Sequence, residues 1–184
     1  MTAAPTLQGV VQLLVVQFAA FLAVLLPVSA LHKLIGRRRA QAVVREFAGV
    51  PPRLAPFAIV VVAGTELFAS LLLLLTSYRA AGGVLAVLIS GGYLLLIVRA
   101  IARGRRDVDC GCSFGAAHRP LGAYQVARNA AVTGVAVLVA AGSAASATVP
   151  VGASQILAAF ALFALYLALD QVMALQPLRS GELL

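Results

Sequence analysis

Two cysteines, Cys110 and Cys112, are the only sulfur nucleophiles in the chain, and a single glycine, Gly111, separates them. They lie in a polar stretch, Asp109-Cys110-Gly111-Cys112, with Arg105, Arg106, His118 and Arg119 nearby. Two cysteines exclude a structural disulfide framework. A disulfide across one residue is small and strained, and glycine best tolerates the backbone it requires. Strained, exposed disulfides are the labile ones. The arginines favour the thiolate, the nucleophile in exchange, and Asp109 opposes it. Three readings fit these residues: thiol–disulfide exchange with a thioredoxin-like partner, soft-metal binding by Cys110 and Cys112 with His118 or Asp109, or two small residues in a tight turn. Four protein ligands for zinc are hard to find here.

The second chemistry-bearing residue is Glu66, isolated within a long apolar run. An acid at that depth costs about 2.5–3.5 kcal/mol on insertion scales, so it must face the interior and be paired or protonated. Depth bookkeeping proposes Ser90, Tyr93 and Gln17 as partners. The cluster reads either as a proton relay or polar pocket for a quinone-like or thiol ligand, or as glue between helices. His32, Arg99, Arg128, Asn129 and Asp170 fall near one membrane boundary. They either ring the cysteine loop or snorkel to water as anchors. Arg128 and Asn129 open a helix whose N-terminus would favour a thiolate if it pointed at the cysteines.

The elements that must position these residues are membrane spans. The chain has 184 residues, 62% hydrophobic and 11% charged, with a mean hydropathy of +1.01, against about 25% charged in ordinary soluble domains. Crossing about 30 Å takes about 20 apolar residues. Five runs qualify: Val10–Leu31, Ala55–Thr76, Ala80–Ile101, Ala127–Ala147 and Val151–Met173. The expectation is an all-α polytopic membrane helix bundle, one domain over residues 1–184, with a four-helix core and a fifth span. The fourth run, rich in Ala, Gly and Ser, reads as a packed inner span. Val28-Ser29-Ala30 resembles a cleavage site. Met1–Gly9 nonetheless carries no Lys or Arg and the run is long, so the first span is expected to be retained.

The net charge of +8 belongs to loops flanking spans, which argues for membrane topology rather than nucleic acid. Thirteen basic residues fall on one side: Lys33, Arg37, Arg38, Arg39, Arg45, Arg53, Arg99, Arg103, Arg105, Arg106, Arg119, Arg128 and Arg179. Only Arg79 falls on the other. That bias places the N-terminus outside and the C-terminus and cysteine loop in the cytoplasm of an inner-membrane protein. The segment 34–47 reads either as a basic topology anchor or as an interfacial helix on anionic lipid.

The run Ser29-Ala30-Leu31-His32-Lys33-Leu34, then Glu66, Asp109-Cys110-Gly111-Cys112 with Phe114-Gly115, and Arg128-Asn129 together resemble the MauE family. This is the methylamine-utilisation branch of the DoxX-like membrane proteins. The resemblance covers residues 8–145. Its most specific element is an Asp-Cys-Gly-Cys-Phe-Gly signature, from which this chain departs by Ser113 inserted before Phe114. The resemblance implies a redox-associated membrane protein that supports maturation of a partner or secreted client, with Cys110 and Cys112 as the exchanging pair. Glu66, Asp109, Gly111, His32, Arg128 and Asn129 would support them. No cofactor is implied outright, although a quinone or a metal would be compatible. Alternatives are a non-enzymatic scaffold or chaperone, a metal-binding membrane protein, and a transporter coupled through Glu66.

Overall fold

The computed structural model describes residues 6–104, 122–143 and 149–175. The cysteine segment, with Asp109, Cys110, Gly111 and Cys112, lies outside the described residues. Six helices follow in order: α1 (Leu7–Ile35), α2 (Arg37–Ala48), α3 (Ala55–Leu74), α4 (Arg79–Ala102), α5 (Ala123–Gly142) and α6 (Ala153–Leu175), with a short 3-10 turn at Thr76–Tyr78 before α4. All except α2 are long and apolar enough to cross a membrane, and no strand occurs among the described residues. The protein is a polytopic membrane helix bundle. Helices are what a bilayer permits, since every backbone group is satisfied within its own segment.

Local chemistry sets the helix ends. Thr6 caps α1 by accepting from the Gly9 amide at 3.3 Å. Gly49, at φ +67°, ends α2 in the left-handed conformation that glycine adopts without penalty. Pro51 and Pro52 then prevent the helix from continuing, and Pro56 sits in the first turn of α3, where its missing N–H costs nothing. The first helix runs past its apolar stretch to Ile35 because no Gly or Pro lies between Leu31 and Gly36. The fifth starts at Ala123, four residues ahead of its apolar run, because the Gln125 side chain accepts from the Gly122 amide at 3.0 Å.

The central helix is α1, which packs against α3, α5 and α6. Its Ala19, Ala20, Leu22 and Leu26 meet Ala69 and Leu73 of α3, Ala86 of α4, Ala136 and Val139 of α5 and Ala159 of α6 in one core. The sequence reading gave the inner position to α5, and this differs. The small residues of α5 mark close approaches to α4 and, at Gly142, to Val15 of α1. A Cβ on Gly83 would stand 2.7 Å from the Ala140 amide nitrogen, so those backbones could not touch with any larger residue there. Outward-facing Phe57, Leu88, Leu95 and Leu157 are all more than 60% exposed, a surface suited to lipid.

Pro27 lies inside α1. Lacking an N–H, it leaves the Ala23 carbonyl without its usual i+4 donor. The Ser70 hydroxyl of α3 takes that place, donating to Ala23 O at 2.8 Å. Ser70→Ala should therefore destabilise the protein by about 1–3 kcal/mol, read as a drop in unfolding midpoint in detergent. In a Pro27→Ala background, where the backbone donor returns, the same change should cost little. Equal costs in both backgrounds would show that Ser70 acts otherwise.

Arg79, the lone basic residue at its end of the bundle, is fully buried. It donates to Val149 O at 2.9 Å and to Leu73 O at 3.5 Å. It thereby satisfies a carbonyl in the last turn of α3 and ties down the segment leading into α6. Its position on the sparsely charged side thus has a structural cause that no charge count reveals.

Candidate functional site: two buried ion pairs around one cavity

Glu66 has no exposed surface. Lys33, from the last turns of α1, places Nζ 2.8 Å from one carboxylate oxygen and 3.2 Å from the other. Two neutral donors complete the shell: Ser29 Oγ at 3.1 Å and Tyr93 OH of α4 at 3.0 Å. Lys33 also bonds Ser29 Oγ at 2.6 Å and lies over the Tyr93 ring, 5.0 Å from its centroid. Ser29 and Lys33 are one helical turn apart and so share a face of α1. Three helices therefore converge on one carboxylate, whose charge is balanced by an ammonium and which accepts from two hydroxyls. Such an arrangement is what a buried charge requires.

Of the partners expected from depth, Tyr93 bonds Glu66. Ser90 shares the neighbouring cavity, but its hydroxyl donates to Ala86 O of its own helix at 2.7 Å. Gln17 points elsewhere, donating to Gln155 O of α6 at 3.4 Å. Sequence reasoning missed Lys33 and Ser29. Lys33 lies two residues beyond the predicted span and enters the sequence reading as a topology charge and as part of the Ser29–Leu34 run, not as a partner of Glu66. The available signal was the i, i+4 spacing of Ser29 and Lys33, joined to the length of a lysine stem.

A second pair lies close by. Arg128 of α5 contacts Asp170 of α6 through Nη1 and Oδ1 at 2.7 Å. Both side chains are almost wholly buried. The Arg128 guanidinium also lies 5.6 Å from the Tyr166 ring centroid, and Tyr166 meets Phe21 edge-on and stacks on Phe163. Asn129 donates to Gln125 O at 2.8 Å, and Thr133 to Asn129 O at 2.8 Å. His32 is half-buried beside Lys33 on α1.

Between the two pairs is a cavity of about 50 Å³. Ser29, Glu66, Ser90, Tyr93, Arg128, Asn129 and Tyr166 contribute its polar lining, and Leu25, Leu26, Ile89 and Val132 the rest. Most of the surface it exposes is apolar, and the polar groups reach it at a few points. Glu66 and Arg128, one member of each charge pair, thus line the same cavity. Residues 105–121, which carry the cysteines, join α4 to α5, the two helices that supply Tyr93, Arg128 and Asn129.

Among the described residues, no three His, Cys, Asp or Glu side chains gather as a metal site. The metal reading of Cys110 and Cys112 concerns residues outside them.

No curated protein and no solved structure matches the chain. The family of the methylamine utilisation protein MauE matches residues 11–142, a stretch that takes in α1 to α5 with Lys33, Glu66, the cysteine segment and Arg128, and leaves α6 outside. This polytopic bundle, built around Glu66 and its partners, belongs to the MauE family.

Proposed function

We propose that this protein is a MauE-like membrane accessory protein that performs thiol–disulfide exchange through Cys110 and Cys112. A thioredoxin-fold partner would be the electron donor or acceptor, and maturation of a secreted client the outcome. The observation that carries the reading is the Asp109-Cys110-Gly111-Cys112 motif in a MauE-family chain. In sequence the segment follows α4 and precedes α5, two helices that line the cavity beside Glu66.

In the exchange, the thiolate of one cysteine attacks a sulfur of the partner's disulfide. A mixed disulfide forms and the partner's other sulfur leaves as a thiolate. The second cysteine then attacks the mixed bond. The products are a Cys110–Cys112 disulfide and a partner dithiol, two electrons having passed to the partner. Run in reverse, the same steps oxidise the partner. The charge bias of thirteen basic residues to one supports an orientation with the N-terminus outside and the cysteine segment in the cytoplasm of an inner membrane. On that face the resting form is the dithiol.

Membrane-impermeant maleimide applied to intact cells, with and without reductant, tests side and redox state together. The expected result is labelling only after permeabilisation and without need of reductant. With Cys110→Ser or Cys112→Ser, one variant should trap a mixed disulfide with a thioredoxin-fold protein, and the double variant should abolish client maturation. Full maturation by the double variant would leave the scaffold role in place of redox chemistry.

A further inference from the structure

We infer that α2, with the pocket beneath it, is a binding site for an anionic phospholipid. Gly36 alone separates α2 from the long apolar helix α1, so α2 starts where that span ends, at headgroup level. Its 12 residues carry four arginines against one acid, Glu46. Arg37, Arg38 and Arg45 are exposed, and Arg38 and Arg45, two turns apart, share one face.

The opposite face carries Val43, Val44 and Phe47. These are half-buried rather than sealed, with Phe47 packed against Ile97 and Ala100 of α4. With Ile59 of α3 and Leu96 and Ile97 of α4 they enclose a pocket of about 220 Å³ whose walls are almost wholly apolar. Helix α2 has no buried residue, which is unusual for an apolar face held against spans. A cationic outer face over an apolar space, at the end of a span, is complementary to a molecule with a phosphate at one end and a flexible hydrocarbon at the other. The acyl chain would fill the pocket, and the phosphate would meet the arginines as they reach round α2. A topology anchor needs the charges but not the pocket.

The test places the full-length protein in nanodiscs of phosphatidylcholine with and without phosphatidylglycerol. Lipid retained after transfer to detergent is then identified by native mass spectrometry. At about 1 kcal/mol for each arginine near the surface, three arginines correspond to roughly a hundredfold preference for the anionic lipid. Arg37→Gln/Arg38→Gln/Arg45→Gln should remove that preference without altering the fold, since the three side chains are exposed. Ala40→Phe, which fills the pocket, should abolish retention while leaving the arginines in place. Equal retention of both lipids by the native protein would overturn the inference. So would unchanged selectivity in the triple variant, unchanged retention in Ala40→Phe, or a quinone-type ring compound recovered in place of phospholipid.

Discussion

Lys33→Met should lower the stability of the bundle by about 3 kcal/mol, whereas Glu66→Gln should cost only about 1 kcal/mol. The asymmetry follows from where each charge stands. Glu66 lies well inside α3 with no exposed surface, on a side chain too short to reach water. Without Lys33, its carboxylate keeps only Ser29 and Tyr93 as hydroxyl donors, which satisfy lone pairs without balancing charge. Lys33 stands near the end of α1, and its side chain is already 11% exposed, so a lysine freed by Glu66→Gln can extend to the headgroup region. The glutamine amide also retains an oxygen for Tyr93 and Ser29. The double change Lys33→Met/Glu66→Gln should recover most of the Lys33→Met loss, since no unbalanced charge then remains. Thermal unfolding of the four proteins in one detergent forms a double-mutant cycle. Equal costs for the two single changes would mean that Glu66 is balanced by something other than Lys33. The cycle also bears on function: if the pair is purely structural, the stable double variant should still mature the client.

The spans and the buried acid were legible because both are single-chain quantities. An apolar run must cross the bilayer, and Glu66 must find partners wherever it sits. Depth along parallel helices then leads from Glu66 to Tyr93. Rotation about each helix axis is harder to read. These spans are apolar almost all round, so no polar stripe in the sequence marks an inward face. That is why Gln17, at a plausible depth, turns to Gln155 on α6 instead, and why Ser90 bonds within its own helix. The link from Ser70 to Ala23 was readable in principle from Pro27, which announces a missing donor, but the helix that would supply a replacement was not. Arg79 misled for the opposite reason. Charge statistics treat it as a residue in water, while the fold consumes it to bond two carbonyls. The small residues of α5 were read correctly as a sign of close approach. They carry no information on how many neighbours a helix has, and that central place went to α1.

Arg128→Met should loosen α6 selectively. Asp170 is 2% exposed, and removal of its partner leaves a carboxylate in an apolar setting, a loss of about 3 kcal/mol. The damage should be local, because Arg128 meets α6 twice: at Asp170 through 2.7 Å and at the ring of Tyr166. Hydrogen exchange read by mass spectrometry should show protection falling over Ala153–Leu175, with α3 and α4 little changed. Lys33→Met should show the complementary pattern, centred on α1, α3 and α4. Arg128→Lys should fall between native and Arg128→Met, since an ammonium keeps the charge but loses the planar group that stacks on Tyr166. Arg128→Met/Asp170→Leu should restore protection. If α6 remains protected in Arg128→Met, apolar packing of Ala159 and Tyr166 against α1 is enough to hold it. The point matters for the family as well as for the fold. Arg128 falls within the stretch that matches MauE, and Asp170 falls beyond it. Arg128, within the matched stretch, is therefore neutralised by a helix beyond it, and the charge state of the cavity next to Glu66 depends on whether α6 is seated.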